Sequence, residues 1–514
     1  MLTANRSLLV TLASTALLAQ LSAQDLGLDL VGGSLPGNVV ITATGALYPF
    51  ESILIVPSTN AGPTPCSWFD PNDPRSLSIG IDLLGSLWAG AAGFNLEYQV
   101  SFAVPSQPSL QGVSLFFQAV TLQFQPTLLD RISNGNVLRI ANANSFRDRG
   151  VQFGLERAFA SVLPRTDHKW LLVGGARGQL LAQNATATNE IYDPIADAFM
   201  PGPSLNAPRS MHAATLLPNG TWLLSGGVNA TNDPQATCEI YDPVADTFTP
   251  VATMLIPRMG HTATLLGNGK VLVTGGLQAM TVTPTQLSAI HDATNATELY
   301  NPATNTWTAG PNLLTPRAGH IAMQRPDGKV LLAGGISWDS VIIIGWLPAV
   351  RRSCDLYDPV ANTMVAGPQM ATARSLIDPI DIGGGRFLVA GGIAAISLTS
   401  PGTPTATAEI YNGNTNTWTS VGSMAAARGN HKGWAIGGGR YLLTGGAAGT
   451  ILAPTALSST EIFSTTTNTF TPGPAMTSPR AGAATFMTPQ GQMQVFGGGS
   501  TGGVIARTTE WYYF

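Results

Sequence analysis

An all-β fold of seven repeated units behind a smaller β-rich region is predicted by three features of the 514-residue chain. First, apolar runs end in double glycines at Gly174-Gly175, Gly226-Gly227, Gly275-Gly276, Gly334-Gly335, Gly391-Gly392, Gly445-Gly446 and Gly497-Gly498, recurring every 49 to 59 residues. Second, an arginine stands 17 residues before the first glycine of every pair: Arg157, Arg209, Arg258, Arg317, Arg374, Arg428 and Arg480. Third, each pair is followed by an acid and, two positions later, an aromatic, with the acids at Glu190, Glu239, Glu298, Asp355, Glu409, Glu461 and Glu510. Charged residues are only 11% of the chain, against about 25% in ordinary soluble proteins, which excludes coiled coils and long surface helices.

The elements follow in order. Residues 1–23 carry Arg6, an apolar run from Leu8 to Leu21, and then Ser22-Ala23. This pattern reads as a secretory signal, being too short for a membrane span, which needs about 20 apolar residues. No second run of that length follows, so the expectation is an exported chain without a membrane span, secreted, periplasmic or at the cell surface. Residues 24–135 lack the repeat. Runs at Val39 to Thr44, Ser52 to Val56, Leu96 to Val104 and Val113 to Phe124 alternate or cluster apolar residues between Pro/Gly-rich breaks, which suggests a small β-sandwich-like domain. Asp70 and Asp73 lie in a proline-rich loop whose spacing matches no calcium loop of the EF-hand type.

Within each later unit, one strand follows the arginine (Met211 to Leu217 in the second) and another runs into the glycines (Thr221 to Ser225). A third carries the acid-x-aromatic triplet, and a fourth carries the large apolar residue nine positions beyond the acid: Phe199, Phe248, Trp307, Met364, Trp418 or Phe470. Asp-Pro and Asn-Pro pairs such as Asp242-Pro243 and Asn301-Pro302 supply the turn between the third and fourth. The pattern resembles the kelch repeat, as found in exported, bacterial-type kelch proteins, over residues from about 145 to 514. That resemblance implies a seven-bladed kelch-type β-propeller over 136–514, each unit one blade of four antiparallel strands a to d. The seventh unit runs out after Glu510-Trp511-Tyr512, and Arg147 stands ten residues before Arg157, the interval that separates strand d from the next arginine elsewhere. Residues from about Ala143 to Arg149 are therefore expected to supply the missing strand from the N-terminal side.

A net charge of −4 with four lysines among 25 basic residues leaves no footprint for nucleic acid. Chain length varies only between the second glycine and the acid, where the gaps are 15, 12, 22, 20, 17, 15 and 12 residues. All of that variation falls on the b-to-c connection, and insertions gathered on one face of a repeat protein mark its binding surface. The candidate contacts are Trp338, Asp339, Trp346, Arg351 and Arg352 in the fourth connection, His291 and Asp292 in the third, and Arg177 in the first. Aromatics flanked by arginines have the composition of an interface anchor, while folding of the loop against the body of the protein is the competing structural role. His212, His261, His320 and His431 each stand three residues past a repeat arginine, but Ala160, Ile377 and Ala483 occupy the same position in the other units, which breaks a metal ring and gives the histidines a structural reading. The repeat arginines and acids are expected to pair structurally.

Kelch propellers also occur in secreted copper-radical oxidases of the galactose oxidase type, a resemblance that implies a Cys–Tyr crosslink, a further Tyr and two His. Cys66, Cys238 and Cys354 form no such constellation, and no nucleophile elbow, metal motif or phosphate loop is found. The sequence thus predicts a non-enzymatic, cofactor-free interaction protein that recognises a protein or glycan through its b-to-c loops. A secreted carbohydrate-active or oxidising enzyme and a structural cell-surface protein are the alternatives.

Overall fold

The computed structural model describes residues 26–513 apart from 45–51, 67–74, 78–82, 105–109, 123–128, 280–291, 342–344, 397–401, 488–492, 501–504 and shorter loop stretches. The leader at 1–23, the Asp70/Asp73 loop and His291 lie outside the described residues. No described helix is long and apolar enough to cross a membrane.

Two antiparallel sheets form the N-terminal region. Strand β1 (Gly27–Val31) pairs with β2 (Gly37–Thr44), which pairs with β5 (Tyr98–Val104). The second sheet joins β3 (Ser52–Ser58), β4 (Trp88–Ala91), β6 (Ser114–Leu122) and β7 (Leu129–Arg139) in the order β7-β6-β3-β4. Alternation explains the layering: Val39, Ile41 and Ala43 of β2 and Ile53 and Ile55 of β3 all point into one core with Leu28, Leu30, Phe117 and Ala119. Strand β7 continues to Arg139, with Val137 packed beside Phe116 and Val120.

Seven four-stranded antiparallel sheets follow. In the second repeat strands a to d are Ala213–Leu216, Trp222–Ser225, Cys238–Asp242 and Thr247–Val251, paired in that order. The seventh sheet takes three strands from its own repeat and a fourth, β8 (Ser145–Gln152), from the N-terminal side, with Phe146 opposite Tyr512 and Arg147 opposite Trp511. Each c-to-d turn carries a left-handed residue, Asp197, Asp246, Asn305, Asn362, Asn416 or Asn468, and in the first five repeats its side chain accepts the hydroxyl of the strand c tyrosine.

The repeat arginines and acids pair in every sheet, at 2.5 to 3.1 Å. Each arginine also donates to the carbonyl of the first paired glycine 17 residues on, as Arg209 does to Gly226 at 2.9 Å. The acid reaches back to the preceding d-to-a connection, where Glu239 accepts N–H groups of Asn206 and Ala207. The double glycine is required by contact with the next repeat: at Gly226, φ is 58° and a Cβ would sit 2.5 Å from the Arg258 carbonyl oxygen.

The residue two past each arginine is also left-handed, and these residues are linked from repeat to repeat. Gly260 N–H donates to Met211, Gly319 to Gly260, Leu376 to Gly319, Asn430 to Leu376, Gly482 to Asn430, and Phe159 back to Gly482. Six hydrogen bonds thus run through all seven repeats and return from the last to the first.

Candidate functional site

The b-to-c connections form two-stranded hairpins in the first, fourth, fifth and sixth repeats. The fourth (Ile336–Val341 with Gly345–Val350) sets Trp338 opposite Pro348, Asp339 opposite Leu347 and Trp346 opposite Ser340. Arg351 anchors its base, donating from Nε to Ser337 Oγ, and the exposed Arg352 accepts the Met370 N–H through its carbonyl at 3.0 Å. Arg177 is exposed on the first hairpin, and Asp292 accepts the Gln278 N–H through its carbonyl. The predicted contacts that are described occupy the connections of three different repeats.

A cavity lies instead where the strands a converge. One chamber, about 380 Å³, is walled by the positions two, three and four past the repeat arginines, from Phe159-Ala160-Ser161 round to Gly482-Ala483. A second, about 340 Å³, continues along strands a past Trp222, Trp434 and Thr485, and the two share Ala160, Ser161, Asp378 and Lys432. Trp434 is fixed by its indole N–H, which donates to Thr485 Oγ1 at 2.8 Å.

The four repeat histidines line the first chamber, and three of them direct Nε2 at hydroxyls. His261 lies 3.0 Å from Ser225 Oγ, His320 is 2.8 Å from Thr274 Oγ1, and His212 is 3.0 Å from Ser161 Oγ. Ser225 and Thr274 immediately precede the double glycine of the previous repeat. His212 instead meets Ser161, since Val173 holds that place before its repeat, and Ala390 holds it before the repeat with His431. Burial, reinforced by Arg209, Arg258 and Arg428 respectively, pushes His212, His261 and His431 down to about 3. They are neutral at physiological pH. Among the described residues no group of three or more His, Cys, Asp or Glu side chains gathers to hold a metal.

The charged groups of the cavity are Asp378 and Lys432, which form an ion pair between the fifth and sixth repeats. Both remain open to the chamber, with side chains 59% and 37% exposed, and Lys432 draws the Asp378 carboxyl below its ordinary range. Both stand four residues past a repeat arginine, where the other units carry Ser161, Ala213, Thr262, Ile321 and Ala484. Sequence reasoning missed them, although charge confined to two of seven equivalent positions was a readable signal.

No protein-family model matches the chain, and no curated protein matches it. Among solved structures the chain is similar to a fungal alcohol oxidase of the AA5 family in complex with copper, at 17% identity and a TM-score of 0.54, covering 70% of this chain and 74% of that one. It is also similar to the structure of YjhT, at 14% identity and a TM-score of 0.44, covering 59% of this chain and 94% of the other. The likeness is one of fold: an all-β scaffold of propeller type built from repeated four-stranded antiparallel sheets.

Proposed function

We propose that the seven sheets close into a kelch-type seven-bladed propeller and that the protein binds a small polar ligand in its axial cavity. The six hydrogen bonds that run from Met211 to Gly482 and on to Phe159, and the strand β8 supplied to the seventh sheet, support the closed ring. The observation that carries the binding reading is the break in repeat symmetry at Asp378 and Lys432, both open to one cavity. Repeat symmetry serves the scaffold, and a charge pair placed in two units alone serves something asymmetric. The b-to-c hairpins, the expected recognition face, then become a rim or second contact for a protein or glycan.

The AA5 neighbour raises the question of copper. The cavity residues do not fit that ion: three of the four histidines are turned to hydroxyls, no three ligating side chains gather among the described residues, and the Cys238 thiol is buried and pushed up to about 12. A second reading, an enzyme acting on a sugar or alcohol in the same cavity, is favoured by a carboxylate and an amine side by side, the groups that acid–base catalysis uses. A thermal-shift screen of oligosaccharides, polyols and amino acids tests the binding reading, which predicts a shift lost in Asp378→Asn. Product formation from the bound compound, also lost in that variant, separates the enzyme from the binder.

A further inference from the structure

The lining of the axial cavity restricts the class of its ligand, an inference that rests on the cavity reading above. Asp378 and Lys432 are the charged residues among those lining either chamber, and they neutralise one another. A ligand with a single charge can pair with one of them only by leaving the other beside a like charge or without its partner. A neutral ligand leaves the pair as it is. A ligand with one positive and one negative group close together can insert and give each protein charge a new charge-assisted hydrogen bond, the stronger kind. Because Asp378 and Lys432 touch, the two ligand charges must also be adjacent, as on a single carbon.

The hairpin end of the same chamber is apolar. Phe159, Met211, Leu376 and Ile377 line it, with Asn430 among them. Two of these side chains lie against glycines: a Cβ on Gly482 would stand 2.7 Å from Phe159 Cε1, and one on Gly319 would stand 2.8 Å from Leu376 Cδ2. Phe159, Met211 and Leu376 hold left-handed backbone, at φ of 54°, 52° and 55°. The chamber thus offers a charge pair along one wall and an apolar end.

We propose that the axial chamber takes a free α-amino acid with an apolar side chain, its ammonium against Asp378, its carboxylate against Lys432 and its side chain toward Phe159, Met211 and Leu376. Titration calorimetry on the intact protein tests this with L-leucine, 3-methylbutylamine, 4-methylpentanoate and glucose. The expected result is leucine binding at least tenfold tighter than either singly charged analogue. Asp378→Asn should weaken leucine at least tenfold without weakening 4-methylpentanoate, and Lys432→Gln should do so without weakening 3-methylbutylamine; circular dichroism confirms that both variants fold. Leucine binding no tighter than its analogues overturns the proposal. Glucose binding that is lost in Asp378→Asn, with no leucine binding, overturns it while sustaining the cavity reading. No heat from any of the four compounds overturns the amino-acid proposal, and an empty thermal-shift screen alongside it overturns the cavity reading too.

Discussion

The guanidinium of Arg139 lies over the ring of Trp511, 5.0 Å from its centroid. Arg139 ends β7 of the N-terminal sheet, whereas Trp511 belongs to strand c of the last repeat. The same side chain, 1% exposed, pairs with Asp197 of the first repeat at 3.8 Å and donates to the Pro194 carbonyl. One residue therefore joins the N-terminal sheet to the two ends of the repeat array. Arg139→Met should destabilise the protein by about 3–5 kcal/mol, since a buried pair is broken from one side. Arg139→Lys should recover only part of this, lacking the planar group that stacks on indole. Urea unfolding of both variants, combined with Asp197→Asn in a double-mutant cycle, measures the coupling.

Strand β8 shields the edge of the last repeat's strand c, with Ser145 to Asp148 opposite Tyr513 to Glu510. Deleting residues 143–150, which leaves Arg139 and β7 in place, should sharply lower the melting temperature and expose Tyr512 to solvent, seen as increased tyrosine accessibility to modification. An unchanged melt contradicts the role given to this strand.

Asp355 is the one aspartate among the seven repeat acids and accepts a single N–H from the preceding connection, that of Leu314, where the glutamates each accept two. Its shorter side chain explains the difference. Asp355→Glu should restore the second hydrogen bond and stabilise by about 1 kcal/mol. Arg317→Met, which strands the acid in a buried site, should destabilise by about 3–5 kcal/mol. Chemical denaturation of the pair checks both signs.

His431 is 4% exposed and held neutral, down to about 3, by burial and then by Arg428, with Lys432 acting in the same direction and Asp378 against it. The ordinary value is about 6.5, so the unfolded chain binds the extra proton first as pH falls. The contribution is complete above about 6.5 and is lost between there and 3, at up to about 1.4 kcal/mol per pH unit. His431→Leu should flatten the loss of stability between pH 7.5 and pH 5 by about 2 kcal/mol, and parallel urea curves at the two pH values measure it.

Much of this architecture was legible in spacing. The 17-residue interval from arginine to glycine located strands a and b because both residues meet through one hydrogen bond, as in Arg209 to Gly226. The N-terminal strands were readable where one face is buried, as along Val39, Ile41 and Ala43. The candidate site was not located, for a physical reason. Asp378 and Lys432 are 54 residues apart and meet only because neighbouring sheets bring the same repeat position to one cavity. Arg139 was invisible likewise, since its partners lie 58 and 372 residues away. Loop length marked the hairpins, but it carries no trace of a cavity built by strands of constant length.

The most direct test of an axial site compares two variants of the intact protein against whichever compound gives a thermal shift: Asp378→Asn/Lys432→Gln in the cavity, and a chain lacking residues 338–352 of the fourth hairpin. Binding measured by calorimetry should be lost in the first and retained within a few-fold in the second. Retention in the cavity variant with loss in the hairpin deletion would place recognition on the b-to-c face and contradict the axial site.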